Sequence, residues 1–315
     1  MSDKEIIVFG SVVQDLVSFV ERYPKPGEAI RGKKFELFNG GKGANQAFII
    51  AKLGGKVAMV GNVGDDIFGE ANIEGLKKVG VRTDLFTKSE GIATGTGAVT
   101  VNDTGENCIV VTLGANMEMR KDRAWEIEEH IKKAFMIIAQ NEIPQEANVE
   151  AFKVAKKHGV KTFLNPAPGL SDLDRSILPL TDIICVNENE AEFITQLTLK
   201  TLDEFKQAAI FIVKELGPSI AIVTLGPQGA LIAEKKEDGE IELNKVDAPK
   251  VNAVDTTGAG DCFCGSLAYL LTNRPELGIV EAAKKAVHIA AISVSRPGPQ
   301  ASYPSLEELK DLNIL

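Results

Sequence analysis

Ala253-Val-Asp-Thr-Thr-Gly-Ala-Gly-Asp261-Cys-Phe-Cys-Gly-Ser-Leu-Ala268 is the stretch on which the reading of this chain turns. An extended segment gives way to Gly258-Ala259-Gly260, whose small side chains let backbone N–H groups approach an anion. An apolar helix from Gly258 to Leu271 follows, with its positive dipole end at the same place. A phosphate suits such a turn. Asp261 stands in the first helical turn, where a carboxylate is also an ordinary N-terminal cap, so a purely structural role stays open. The turn does not match the GxxxxGK[ST] pattern of a P-loop. Nor is it a dinucleotide fingerprint, which belongs to the first βα turn; that turn reads Gly10-Ser-Val-Val-Gln and lacks GxGxxG.

Outward from this segment, short apolar runs recur between longer helical patterns. Ile6–Phe9, Val57–Val60, Lys161–Leu164, Asp182–Val186 and Ala221–Leu225 each end at a Gly or Asn. This is the signature of βα units around a mostly parallel sheet. Ligands in such sheets sit at the carboxyl ends of the strands, which marks Asn165, Asn187 and Gly226 as well placed for chemistry. Two stretches break the rhythm. Residues 12–39 alternate around Leu16–Val20 and Phe35–Phe38, and residues 94–113 form a hairpin pattern turning through Asn102-Asp103-Thr104-Gly105. Both read as antiparallel strands, expected to meet as one small β lid over the main sheet. Their apolar alternation leaves one face to be covered by substrate or a second copy, which favours a homodimer through the lid. The domain division expected is therefore 1–11, 40–93 and 114–315 for the α/β body, and 12–39 with 94–113 for the lid. A hairpin turn is expected at Glu237-Asp238-Gly239-Glu240, and an amphipathic surface helix over Lys121–Ala134.

The composition excludes several broad classes. The chain has 315 residues, with 35 Lys+Arg against 44 Asp+Glu and a net charge of −9. That length buries a substantial core. The acidic balance and the absence of a basic run argue against a nucleic-acid partner, so an anionic ligand must be held by a local device. Four cysteines (Cys108, Cys185, Cys262, Cys264) form no CxxC pair, and three histidines leave little material for a zinc site. No segment is long and apolar enough to span a membrane. A cytoplasmic protein is expected, with nuclear presence as well in a eukaryote.

A second Gly-rich segment, Asn39-Gly-Gly-Lys-Gly-Ala-Asn45-Gln-Ala, also precedes a helix. Lys42 and Asn45 in it are donors suited to sugar hydroxyls. The structural alternative is a tight loop that needs positive φ angles. Asp15, after the first strand, and Glu142, in Gln-Asn-Glu-Ile-Pro, are expected to face the same space.

These residues carry a resemblance. Gly-Gly-Lys-Gly-Ala-Asn running to Gly64, Asp255-Thr-Thr-Gly-Ala-Gly-Asp261, Asn165-Pro-Ala-Pro and Asn187-Glu-Asn-Glu190 occur in order, and Gly298-Pro-Gln-Ala-Ser-Tyr closes the series. The chain resembles the ribokinase (pfkB) family of carbohydrate kinases over essentially its whole length. The resemblance implies a three-layer α/β/α sandwich with a mostly parallel sheet and a small β-sheet lid. It implies ATP-dependent phosphorylation of D-ribose at O5, giving ribose 5-phosphate and ADP, with ATP as co-substrate and Mg²⁺ and K⁺ as cofactors. Asp261 then matches the catalytic base, and the amides of Gly258, Ala259 and Gly260 match an anion hole; phosphoryl transfer needs positioning and charge neutralisation above all.

On the same resemblance, Asp15, Gly41, Lys42, Asn45 and Glu142 match sugar contacts, with Val13, Gln14, Gly43 and Ala44 beside them. Asn187 and Glu190 match the positions that hold the nucleotide phosphates and the waters of Mg²⁺. The nucleotide loop corresponds to Thr224, Leu225, Gly226, Pro227, Gln228 and Gly229, with Val287 on the final helix opposite. Asp255, Thr257, Ser293, Arg296, Gly298 and Ser302 match the ring of oxygens around K⁺, several of them from the backbone; a turn-forming role is the alternative for Asp255. Val13 departs from the bacterial pattern, which has Asn there, although eukaryotic members carry an apolar residue. Other sugars or nucleosides, including deoxyribose, remain open as acceptors. A non-catalytic sensor on the same fold is the remaining reading, disfavoured because Asp261 is present. Cys262 and Cys264 read as packing residues.

Overall fold

The computed structural model describes residues 4–315. Eight strands form the main sheet, in the order β14-β13-β12-β11-β10-β9-β1-β4. They are β1 Glu5–Phe9, β4 Lys56–Val60, β9 Met136–Gln140, β10 Lys161–Asn165, β11 Ile183–Val186, β12 Ile220–Thr224, β13 Ala230–Lys235 and β14 Ile241–Val246. From β4 to β12 every pairing is parallel, and β13 and β14 close the far edge antiparallel. The hairpin expected at Glu237–Glu240 joins those last two. Strand β9 is not among the sequence-derived runs. Its Met-Ile-Ile-Ala follows directly on the tail of Lys121–Ala134 and merges with it in a periodicity reading. That stretch is not one helix: it is two single turns, α3 Arg123–Glu126 and α4 Glu128–Ile131, with Ile127 between them at φ −105° and ψ 19°.

Alternate residues of each strand serve two separate cores, as the pleat requires. Ile7 and Phe9 of β1 join the core under α3, α4, α5 (Gln145–Lys157), α6 (Glu188–Thr195) and α7 (Leu202–Phe211). Ile6 and Val8 join the core on the opposite face, with α1 (Lys42–Lys52), α2 (Ile67–Lys78), α8 (Ala259–Asn273), α9 (Gly278–Ser293) and α11 (Leu306–Asp311), the last preceded by α10 (Pro299–Ser302). Two cores flanking one sheet make the three-layer α/β/α sandwich. Burial of a Leu- or Ile-sized side chain contributes ~1.5–3 kcal/mol, so these two cores dominate stability.

The order reverses between β1 and β9: the chain runs from β1 out to β4 on one side, then returns to β9 on the other. A crevice opens at the carboxyl ends of strands at such a point. Here the ends are Gly10 and Gln140.

The second sheet has the order β3-β2-β7-β8, with β2 Val13–Phe19, β3 Lys34–Gly40, β7 Gly95–Val101 and β8 Asn107–Thr112. Both outer pairings are antiparallel, as the hairpin patterns suggest, but the central pair β2/β7 is parallel. Strand β2 follows β1 after three residues, Gly10-Ser-Val, so its first residues lie over the crevice. One face stays bare: β8 is exposed along its length, with Val110 64% accessible, and Phe35 and Leu37 are exposed on β3. A short pair, β5 Asn62–Gly64 and β6 Thr87–Ser89, stands apart. Among the described residues no helix is long and apolar enough to cross a membrane.

Candidate active site

Asp261 is the third residue of α8 and almost fully buried. Both carboxylate oxygens accept amide hydrogen bonds: Asn45 Nδ2 donates to Oδ2 and Gln46 Nε2 to Oδ1, each at 3.0 Å. Burial pushes its pKa up; the Lys42 charge and the two amides pull the other way without prevailing. Gly258, the N-cap, has φ 76°, and a Cβ there would stand 2.6 Å from the Tyr303 hydroxyl, which donates to the Gly258 carbonyl at 2.9 Å. Only glycine fits. The Ala259 N–H donates to the Thr256 carbonyl at 3.2 Å, and at Gly260 a Cβ would meet nothing within 4 Å, so the first turn of α8 borders open space there.

That space is a cavity of about 580 Å³, lined by Thr224, Gly226, Gly229, Gly260, Val287 and a wall from Ala248 to Val251. Its size and apolar walls suit a nucleobase and sugar. Gly229, at φ 91°, lies so close to β14 that a Cβ would sit 1.9 Å from the Val246 carbonyl oxygen. Pro227 also lines the cavity, whereas Leu225 turns into the core and Gln228 lies outside it. Sequence reasoning missed Phe263, Ala290, Ala291 and Val294 on the cavity walls, and also the 248–251 segment, which has no regular structure to betray it. The opposing helix is α9, and two short helices still follow it.

On the other side of Asp261 lie the residues expected to meet a sugar. Asp15 of β2 sits between two glycines: a Cβ on Gly97 would stand 2.3 Å from its Oδ1, and one on Gly40 2.6 Å from its Oδ2. The flanking strands thus leave room for the carboxylate alone. Burial, and then the nearby Glu142 charge, push its pKa up to about 6. Glu142 Oε2 accepts from the Ser11 hydroxyl at 2.5 Å and from the Lys42 backbone N–H at 3.0 Å. Lys42 is a cation among carboxylates: burial would lower its pKa, but Asp261, Glu142 and Glu190 together hold it above its ordinary value.

Two of the residues expected beside the sugar, Gln14 and Ala44, are buried. Gln14 is on the other face of β2 from Asp15; its Nε2 donates to the Phe38 carbonyl at 2.7 Å and its Oε1 accepts from Asn72 at 3.0 Å, so its amide serves packing. Ala44 is wholly buried, and the Gly43 and Ala44 amides donate to Ser11. Gly41 and Gly43 let α1 press against the β1–β2 link, where Cβ atoms would stand 2.7 Å and 2.6 Å from the backbone nitrogens of Val13 and Ser11. Val13 itself is buried and presents only methyl groups beside Asp15's face.

Asn187 and Glu190 form a capping box on α6. Asn187 Oδ1 accepts from the Glu190 N–H at 2.8 Å, and Glu190 Oε2 accepts from the Asn187 N–H at 2.9 Å. Glu190 is also buried, and this burial raises its pKa against the pull of the Asn187 N–H and Lys42. A buried carboxylate with spare lone pairs fits a hydrated divalent cation, whose charge would offset the desolvation.

Asp255 joins two loops: Oδ1 accepts from the Thr257 N–H and Oδ2 from the Gly298 N–H, both at 2.9 Å. The Ser293 and Ser302 hydroxyls donate to carbonyls of Ala290 and Pro299, leaving their oxygen lone pairs available. The Arg296 guanidinium, a cation with no acceptor, pairs with Glu308, and the group of Arg296 able to serve a cation is its backbone carbonyl. Among the described residues no group of three His, Cys, Asp or Glu could hold a metal. A hydroxyl-and-carbonyl donor set suits a large monovalent cation rather than a transition metal. Cys185, Cys262 and Cys264 are buried, and burial pushes the Cys262 thiol up to about 12, which fits packing.

Comparison with known proteins agrees with this geometry. The sequence profile described as pfkB family carbohydrate kinase matches residues 3–306. A ribokinase of Mus musculus is 40% identical over 304 residues, covering 96% of this chain and 93% of its own. A deoxyribokinase of Salmonella typhi is 39% identical over 308 residues, 98% of each chain. Among solved structures, the ribokinase of Arabidopsis thaliana complexed with ribose and ATP superposes with a TM-score of 0.89 at 30% identity, covering 99% of both chains. With its three-layer fold, its Gly-Ala-Gly-Asp turn and these relatives, the chain belongs to the pfkB family of carbohydrate kinases.

Proposed function

We propose that this kinase transfers the γ-phosphoryl group of ATP to O5 of D-ribose, giving ribose 5-phosphate and ADP. The observation that carries this reading is the position of Asp261, with Asn45 and Lys42 on one side and the nucleotide cavity on the other. Asp261 accepts the proton of the attacking hydroxyl. Its upward-shifted pKa brings a carboxylate closer to the working pH, where a general base is most effective. The amides of Gly258 and Gly260 stabilise charge on the transferring group, and the Ala259 N–H joins them by leaving the Thr256 carbonyl that it holds at 3.2 Å. Lys42 compensates the surrounding carboxylates and offers its ammonium between sugar and phosphate.

Asp15, Gly41, Asn45 and Glu142 bind the sugar; Thr224, Gly226, Pro227, Gly229 and Val287 border the nucleotide. Glu190, with Asn187, would hold the waters of a Mg²⁺, and the Asp255 loops a K⁺; when bound, these ions supply positive charge beside the phosphates. Residues 12–39 and 94–113 act as a lid that excludes water, and the bare apolar face of that sheet supports a homodimer.

The test is Asp261→Asn, assayed by ADP release. A loss of about 10²–10⁴-fold in kcat with ribose still binding is expected; near-normal turnover would sink the assignment. A second reading, phosphorylation of 2-deoxyribose, is favoured by the apolar Val13 and by the 39% identity to a deoxyribokinase. Competition between the two sugars in the same assay decides it.

A further inference from the structure

Gln140 and Gln46 reach neither solvent nor the cavity, yet they form a continuous line of hydrogen bonds to Asp261. Gln140 is the last residue of β9, at the reversal of strand order, and both glutamines are wholly buried. Gln140 Nε2 donates to Gln46 Oε1 at 2.8 Å. Gln46 Nε2 then donates to Asp261 Oδ1 and to Asn165 Oδ1, both at 3.0 Å. An ionised carboxylate only accepts, so the Gln46 amide must turn its NH₂ towards Asp261 and its oxygen towards Gln140. Gln140 supplies the donor that this orientation demands. Its own Oε1 has no hydrogen-bond partner among the described residues and lies against Gly10, where a Cβ would be 2.0 Å away. A parallel arm reaches the other oxygen: Gln300 Nε2 donates to Asn45 Oδ1 at 3.1 Å, directing Asn45 Nδ2 at Asp261 Oδ2.

A buried polar line of this kind, with one orphaned acceptor, costs stability relative to apolar side chains of the same volume. A device for packing alone would not need it. We infer that Gln140 and Gln46 are positioning residues: a two-amide relay that fixes the Asp261 carboxylate as an acceptor and aims its remaining lone pairs at the sugar hydroxyl. This deepens the proposed function and rests on Asp261 being the base. The charged and titratable groups facing Asp261 are Lys42 from α1, Glu142 after β9, Glu190 from α6, Cys262 and Cys264 of α8 and Tyr303 after α10. None of them is altered by exchanging an amide for a thioether.

The experiment compares Gln46→Met, Gln140→Met and Asp261→Asn with the parent enzyme, measuring kcat against pH at saturating ribose and MgATP. Loss of the Gln46 donor should move the acidic limb of kcat upward by about one pH unit and lower kcat at neutral pH about tenfold, with both KM values held within about threefold. Gln140→Met, which touches neither the base nor substrate, should shift the limb in the same direction by less. Thermal unfolding and ADP affinity confirm that each variant is folded; if Gln46→Met does not fold, Gln140→Met decides. Unmoved limbs in the folded variants, with Asp261→Asn inactive, would overturn the relay alone. Turnover by Asp261→Asn would overturn the base and the relay together.

Discussion

Replacing Asp15 by Asn should stabilise the protein and impair it. The Asp15 carboxylate titrates at about 6 in the folded chain against an ordinary 3.8, first because it is buried and then because Glu142 is near. A folded pKa above the unfolded one means that the native state holds its proton more tightly. Ionised Asp15 therefore opposes folding. Its penalty is fully present above pH 6, shrinks as pH falls and is gone below 3.8. The shift corresponds to at most ~3 kcal/mol, and partial solvent access lowers this to ~2 kcal/mol. Asn has the same shape, fits between Gly40 and Gly97, and carries no charge.

For a chain of this size the gain is about 3 °C in Tm at pH 8, falling to about half at pH 5. Differential scanning calorimetry of both proteins at the two pH values measures it. In the same variant the ribose KM should rise about 10–100-fold, since a charged acceptor of hydroxyl hydrogen bonds is lost. The parent enzyme should lose ribose affinity as pH drops through 6. A variant that melts at or below the parent temperature at pH 8, or whose advantage is the same at pH 5, would refute the placement of this buried charge.

Val13→Asn restores a polar group beside the sugar position. It should raise the preference for ribose over 2-deoxyribose by about 10-fold, read as the ratio of kcat/KM values; an unchanged ratio would remove Val13 from the specificity determinants. Exchanging K⁺ for a bulky organic cation should lower kcat, and Asp255→Ala should make the enzyme indifferent to the exchange. Equal rates in both salts for the parent enzyme would count against the cation loop.

Much of the fold is legible because alternation and Gly punctuation are local signals. The two hairpins of the small sheet, Gly258-Ala-Gly-Asp261 and the helix after Gly41 could all be read in this way. Strand β9 was hidden because its apolar run continues the periodicity of residues 121–134, and Ile127 breaks that helix through tertiary packing rather than through Gly or Pro. Asp15 and Glu142 could be named as candidates from their places after strands. The roles of Gln46 and Gln140 could not, since hydrogen bonds between residues 94 and 215 positions apart leave no trace in spacing. Gln46 did carry one faint sign, a second amide following Asn45 at the head of an apolar helix. Gln14 misled for the opposite reason: adjacency to Asp15 in sequence means the opposite face of a strand.

The contacts that hold Asp261 also set the order in which the enzyme comes into being. Asn45 meets its carboxylate across 216 positions, and Gln300 meets Asn45 across 255. During synthesis at about 5–20 residues per second, α1 leaves the ribosome roughly 10–40 s before α8 does. Through that interval the amides of Asn45 and Gln46 have no Asp261 carboxylate to hold. Turnover can begin only when the last fifth of the chain has docked, so the nascent protein is silent until it is nearly complete. A premature stop anywhere before Gly258 then yields a fragment without Asp261, the base of the proposed reaction, however well its first strands have folded.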